Sequence, residues 1–567
     1  MTETAHQRPA RPSAAPIVRR VVVYTILFVL VALTASGLGD LLSRLFDVVT
    51  GELLAGSDTT GLAVSLTFTL IGGPLAAVLG WFAWRRLADP AERDSLAWAL
   101  YLVGVTTVAL VVSATALLSA VAATVTGDLF TAEAATGLVW AAVWAGHRFV
   151  LRRTHRRPTR LPGTAAVLGG TFGLLIGAGG AITALTILLD YAITSGLSTA
   201  GAAASAGDPW WTGAVQALVW AAGGALVWWW HWLREGGRST GTALAAVALV
   251  GVGILGGALL ALAGTGTVLF VLLRLAFDRS DSLPGLFEPL GVAFAAALVG
   301  SLIWVYHRGV VSRRTTAVRE ASTLVTSGVS LVAAATGVGV IVNALLATVT
   351  SPLAGPDPRT LLLGGISSLL VGGPLWWFTW RPATATAPER RGSPGRSVYL
   401  VVVFGISAVV ALVTLLVIGF RLFDTVLAGN PGLLDRIRAS LGLLVATGLV
   451  AAYHFSVWRR DRAELAAAAP AAAPAAVPAA ARPAGAARAI GEVVLVMGPG
   501  AAPVVDHLRR LTGAPVEYWQ RSGAATVLPD PGQVEQVMTG VSGDRMLIIV
   551  GENGAVTVIE LVPAQVA

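Results

Sequence analysis

Apolar residues in this chain run in long blocks instead of alternating with polar ones. Twelve such blocks cover about 19–46, 61–84, 95–122, 134–151, 164–192, 211–233, 241–276, 289–308, 320–348, 360–380, 397–423 and 438–458. A helix rises about 1.5 Å per residue, so about 20 apolar residues cross the hydrocarbon layer of a bilayer. Each block therefore predicts a transmembrane helix. The fourth is the shortest, and the seventh is long enough to tilt or to break near Gly264 and Gly266. The first block is too long for a signal-peptide core, so it is expected to be retained.

The blocks end on recurring strings. Even blocks close with GWFAWRR (80–86), VWAGHR (143–148), VWWWHW (227–232), IWVYHR (303–308), LWWFTWR (375–381) and AYHFSVWRR (452–460). Odd blocks close with RLFD at 44–47 and 421–424, and with RLAFD at 274–278. The pattern predicts six helical hairpins of one type, repeating about every 75 residues, the sign of a repeat architecture. The segment 1–18 reads as a disordered lead, 19–460 as the transmembrane repeat domain, and 461–489 as an Ala/Pro-rich linker. Residues 490–567 change composition and read as a soluble α/β domain. There GEVVLVMG, a helix, VEYWQ, a short helix over 531–539 and a hairpin turning at Asn553-Gly554 are expected, with 525–528 as a further short strand. The fold class is thus an all-α polytopic membrane protein with a small C-terminal cytoplasmic α/β domain.

Composition agrees. Mean hydropathy is +0.74 and only 12% of the 567 residues are charged, about half the soluble norm of ~25%. No cysteine is present, which excludes thiol nucleophiles, disulfides and thiolate metal sites. All 39 basic residues are arginine, so Schiff-base chemistry and a P-loop lysine are excluded too. This Ala/Gly/Arg bias points to a high-GC bacterial genome.

Charge sets the expected orientation. The N-terminal segment, the even-to-odd loops and the residues just after the last block hold 26 arginines against 9 acidic residues. The opposite loops hold 7 against 14, and the distal tail 6 against 8. The positive-inside rule then places both termini in the cytoplasm of a bacterial inner membrane. The net charge of +8 is accordingly topological, and it predicts contact with anionic inner-leaflet lipids and not with nucleic acid. The densest basic segment lies within 147–160.

One string carries a family resemblance. Gly372–Arg381 follows Gly-x-Pro-Leu-Trp-x-x-(His)-Trp-Arg, with Thr379 where a His would stand, and His231–Trp232 supplies the His-Trp pair without the proline. Together with the start RRVVVYTILFVLVAL (19–33), this resembles the bacterial multi-pass family called domain of unknown function 5671, over residues 19–460. The resemblance implies a membrane fold and brings no activity with it.

Candidate site residues follow from the repeats. Trp81, Trp84, Trp144, His147, Trp228, His231, Trp304, His307, Trp377, Trp380, His454 and Trp458 are expected at the cytoplasmic interface. There an aromatic belt with snorkelling arginines is the reading, in preference to haem or metal ligation. Arg44/Asp47, Arg274/Asp278 and Arg421/Asp424 share helix faces at the outer ends, where local ion pairs are expected. Inside the blocks, Gln216 and Asn343 are the only amides and no ionisable group stands at mid-depth, which argues against ion coupling. VMGPGA (496–501) lacks the full phosphate-binding glycine pattern, because Pro503 stands at its last position, and reads as a structural turn. No cofactor, metal or catalytic set is expected. The expected role is a non-enzymatic scaffold or regulatory protein whose tail domain docks a protein partner; the alternative is a transporter or flippase of a lipidic or neutral solute.

Overall fold

The structure is a computed structural model that describes residues 14–51, 59–128, 130–197, 209–350, 357–384, 393–429, 432–468, 490–521, 527–538, 545–551 and 554–561. These residues divide into two units, one ending at Ala468 and one beginning at Ala469.

The first unit is helical. Its long helices are α1 (Ala14–Thr50), α2 (Thr59–Arg86), α3 (Leu96–Ala123), α4 (Thr131–Arg152), α5 (Thr164–Leu197), α6 (211–234) and α7 (Ala243–Phe277). They are followed by α8 (Leu290–Val311), α9 (Thr316–Ala347), α10 (Pro358–Thr384), α11 (Pro394–Ala428) and α12 (Leu433–Ala468). Among the described residues ten helices are long and apolar enough to cross a membrane, as in a multi-pass membrane protein. The two long helices outside that set are α4 and α6. Glu133, His147, Arg148 and Arg152 dilute the first, and Gln216 with a high share of tryptophan dilutes the second.

Consecutive helices pack as hairpins, and hairpins pair in turn. α1 lies against α4, α5 against α8, and α9 against α12, so the helices form three groups of four. Burial is inverted relative to a soluble core. Long apolar side chains such as Ile406, Leu416 and Phe420 point outward, while Ala, Gly, Ser and Thr dominate the interior. Lipid is as apolar as leucine, so helices in it associate by close packing of small residues. Gly224 shows the geometry: a Cβ there would run into the Gly177 backbone of α5.

Three boundaries differ from the sequence expectation. α1 begins at Ala14, inside the expected disordered lead, of which residues 1–13 lie outside the described residues. α12 continues through Asp461–Ala468, because Arg, Glu, Leu and Ala are strong helix formers and Asp461 is anchored to Arg396. α7 does not break at Gly264 or Gly266; its irregular stretch is the wide turn Leu249–Gly256. Gly264 instead admits the backbone of α8 at Ala293 and Ala297.

The second unit contains β1 (Glu492–Met497), α13 (Ala502–Thr512), β2 (Val516–Gln520), α14 (Pro531–Met538), β3 (Arg545–Val550) and β4 (Val556–Glu560). The sheet order is β2-β1-β3-β4, with β1 parallel to both neighbours and β3 antiparallel to β4. Val493, Leu495 and Met497 alternate inward and pack with Val504, Leu508 and Ile548. Gly554, at φ +80, sits in the expected hairpin, while Asn553 lies outside the described residues. Val527 and Leu528 are not in a strand, and residues 522–526 lie outside the described residues. The Tyr518 hydroxyl donates to the Gly498 carbonyl (2.8 Å), closing the GPG turn from within.

Candidate functional site: an aromatic and histidine network

The C-terminal ends of all six even-numbered helices carry the same device. Arg85 lies over Trp81, Arg153 over Phe149, Arg308 over Trp304, Arg381 over Trp377 and Arg462 over Trp458, at 4.3–5.5 Å from the ring centres. Each pair is four residues apart, the spacing that stacks side chains on one α-helical face. In α6 the pair is Arg234 over Trp229, five apart, because the helix is wound wider there. Trp81, Trp84 and Trp377 are exposed, as belt residues should be.

A second set of rings turns inward. His231, His307 and His454 are buried, and so are Trp232 and Trp380. These three histidines and His147 each donate Nδ1–H to the carbonyl four residues earlier: His147 to Val143, His231 to Val227, His307 to Ile303 and His454 to Val450, at 2.7–2.9 Å. That bond fixes the tautomer and leaves Nε2 as an acceptor. In the first group the Tyr101 hydroxyl donates to His147 Nε2 (3.0 Å). In the second, Trp232 Nε1 donates to the Tyr306 hydroxyl (3.1 Å), with His307 5.8 Å from the Trp232 ring. In the third, Trp380 Nε1 donates to Tyr453 (2.8 Å), with His454 at 5.4 Å. Glycines make room for the imidazoles: a Cβ on Gly253 would strike His307, and one on Gly169 would strike His231.

The aromatic positions expected as one belt thus separate into two classes. Trp144 reaches His231 across the boundary between groups (6.1 Å), Trp228 lies on Tyr306 (5.3 Å), and Trp458 stacks with Phe455 (5.7 Å). Among the described residues no three His, Asp or Glu side chains converge to hold a metal ion, and His454 Nε2 is buried without a partner.

Polar clusters lock the same end. Glu92, buried in the α2–α3 connection, accepts from Arg20 Nε (2.8 Å), Arg19 (3.4 Å) and the Tyr24 hydroxyl (3.0 Å). Arg148 of α4 pairs with Glu235 at the end of α6, and Arg396 of α11 with Asp461 of α12 (2.7 Å). Asp94, nearby, is held below its ordinary pKa by a hydrogen bond from Thr159. In the sequence Glu92 is one of three acids, with Asp89 and Asp94, in a short charged loop, and nothing local sets it apart.

At the opposite end the expected ion pairs are partly rearranged. Arg274 does pair with Asp278 (3.4 Å), and also with Asp281 (2.7 Å). Asp278 accepts from Thr360 at the start of α10 (2.7 Å) and from Ser280, bonds that hold its carboxyl down to about 2. Asp47 likewise accepts from Thr131 at the start of α4, while Arg44 makes contacts of its own. Asp424 is paired with Arg436 of α12 (2.7 Å) and not with Arg421, which donates to the Arg436 carbonyl (3.0 Å). The next helix presents its arginine closer than a side chain three residues along.

The comparison with known families divides the chain at the same places. The family described as Domain of unknown function (DUF5671) has a model that matches residues 20–160 and 320–449. Two stretches of the chain are similar to that family. They fall on α1–α4 and α9–α12, the first and third four-helix groups, so the resemblance expected over 19–460 holds for those two stretches. No curated protein and no solved structure matches the chain.

Proposed function

We propose that all twelve long helices cross the cytoplasmic membrane of a bacterium, with the arginine-rich end and both termini inside. The helices derive from one repeated hairpin, and two hairpins make the packing unit, so the chain holds three four-helix modules of which the middle one has diverged. The protein is a non-enzymatic scaffold: the modules form a rigid platform, and the tethered α/β domain docks a protein partner.

The observation that carries this reading is the recurrence of the Trp–Tyr–His cluster at one end of each group. In it the Trp232 and Trp380 N–H groups go to tyrosine oxygens, the Tyr101 O–H to His147 and each histidine Nδ1–H to a backbone carbonyl, while the indole N–H groups of Trp144, Trp228, Trp304 and Trp376 are buried without a partner. The hydrogen bonds that are made join neighbouring helices and hold them in register.

A second reading, a carrier or flippase for a lipidic or neutral solute, is favoured by a crevice of about 490 Å³ between α7, α9 and α10. It is bordered by Gly266, Phe270 and Ser367, and the Ser367 and Ser368 hydroxyls are bonded to the carbonyls of Gly266 and Ala333. Its surface is therefore mostly carbon. Reconstituting the full chain in vesicles with a fluorescent phospholipid decides between the two. The scaffold reading expects no transbilayer movement above protein-free vesicles, and protein-dependent movement would replace it with the carrier.

A further inference from the structure

A cavity of about 930 Å³ opens where the first four-helix group meets the second. Its walls are the end of α4, the connection 153–163, the first turn of α5 and the end of α6. Four arginines line it, Arg148, Arg152, Arg157 and Arg234, against a single carboxylate, Glu235. Arg148 and Glu235 form an ion pair with both side chains largely buried, so they neutralise each other and build one wall. Arg152, Arg157 and Arg234 are exposed and have no ion pair among the described residues. Three like charges around one space repel one another until an anion enters. Arg234 is steadied by its stack on Trp229 (5.3 Å).

Two further features border the same space. Leu161 adopts φ 54, a left-handed conformation that a branched side chain rarely takes, and Gly163 follows at φ +70. Backbone strain of this kind concentrates at binding sites. Here it turns the chain so that α5 starts at the cavity, with Thr164, Ala165 and Ala166 on its wall. The first amides of a helix lack intrahelical acceptors and carry partial positive charge; here the Thr164 N–H is taken by the Leu161 carbonyl (3.3 Å), so Ala165 and Ala166 supply this end. In addition the indole N–H of Trp230, also a lining residue, is buried without a partner.

We propose that this cavity binds a phosphate-bearing anion, with Arg152, Arg157 and Arg234 as its ligands and the first turn of α5 behind them. Guanidinium groups suit phosphate because their fork matches two of its oxygens. The phosphate comes either from an anionic phospholipid headgroup or from a free phosphate. The apolar part of the wall, Val103, Leu151 and Ala165, gives the acyl carbons of a lipid a surface that free phosphate does not use. The lipid source rests on the reading that the helices lie in a membrane; the phosphate site itself does not.

Native mass spectrometry of the full chain in detergent tests this, with phosphatidylglycerol, phosphatidylcholine or inorganic phosphate added separately. The wild type retains phosphatidylglycerol or inorganic phosphate, and the triple variant R152Q/R157Q/R234Q loses about tenfold or more in affinity. A control variant, R459Q/R460Q, changes two exposed arginines of α12 and keeps the binding. Preference for phosphatidylglycerol assigns the site to lipid, and equal retention of inorganic phosphate assigns it to a soluble anion. Equal retention by wild type and triple variant, with both proteins monodisperse, overturns the site. Since the binding is read in detergent, it can fail while the membrane orientation stands, and the reverse.

Discussion

The indole N–H of Trp380 donates to the hydroxyl of Tyr453 across 73 residues of chain, and Trp232 donates to Tyr306 across 74. Both bonds join the end of an even helix to the end of the next even helix, beside a buried histidine. Tyr453→Phe leaves a buried indole N–H without an acceptor, at a cost of about 1–3 kcal/mol. Adding Trp380→Phe removes the orphaned donor, so the double variant should lose less than the sum of the two singles. A double-mutant cycle by denaturant unfolding in detergent measures this coupling.

His147 and His454 are expected to differ in what their removal costs. His147 accepts from Tyr101, a buried hydroxyl, whereas His454 Nε2 is buried without a donor. His147→Leu should therefore destabilise more than His454→Leu, by about 1 kcal/mol. Tyr101→Phe in the His147→Leu background should return part of the loss. Equal costs for the two histidines would show that the Tyr101 bond contributes nothing.

The close approach of α7 to α8 depends on the absence of a side chain at Gly253, where a Cβ would meet the His307 ring. Gly253→Val should lower the melting temperature, since overpacking in an interior costs about 1–3 kcal/mol. His307→Ala should relieve it in the double variant.

Stability at the helix ends opposite the arginines should depend on acid. The Asp278 carboxyl is held down to about 2, first by Thr360 and then by Ser280, from an unfolded value of about 3.9. A depressed carboxyl contributes stability that is fully present above its unfolded pKa and is lost as pH falls through the folded one. The thermal midpoint in detergent should fall between pH 4 and 2, and Asp278→Asn should show a shallower fall over that interval. Parallel curves would remove Asp278 from the account.

The chain's long helices and its separate tail domain were legible because apolar blocks and a change of composition are local signals. Twelve blocks became twelve long helices, and Asn553-Gly554 marked the hairpin between β3 and β4. What the sequence hid is non-local. The Trp-x-x-Trp-Arg ends GWFAWRR and LWWFTWR look like one interfacial belt, yet Trp84 is exposed and Trp380, at the matching position, is buried, because each ring's class is set by the neighbouring helix. RLFD reads as a self-contained pair, but Arg436 from the facing helix captures Asp424. Glycines announced close packing without saying where, so Gly264 reads as a break when it serves a helix contact.

Cysteine accessibility in intact cells tests the central claim, that the arginine-rich helix ends all lie on the cytoplasmic side of a membrane. The cysteine-free chain provides the background. Thr154, after α4, and Val349, after α9, are both exposed and stand at opposite ends of the helices. Val349→Cys should react with a membrane-impermeant maleimide in whole cells, and Thr154→Cys only after lysis. Labelling of Thr154→Cys in whole cells, with Val349→Cys protected, would contradict the orientation; labelling of both would contradict the membrane embedding itself.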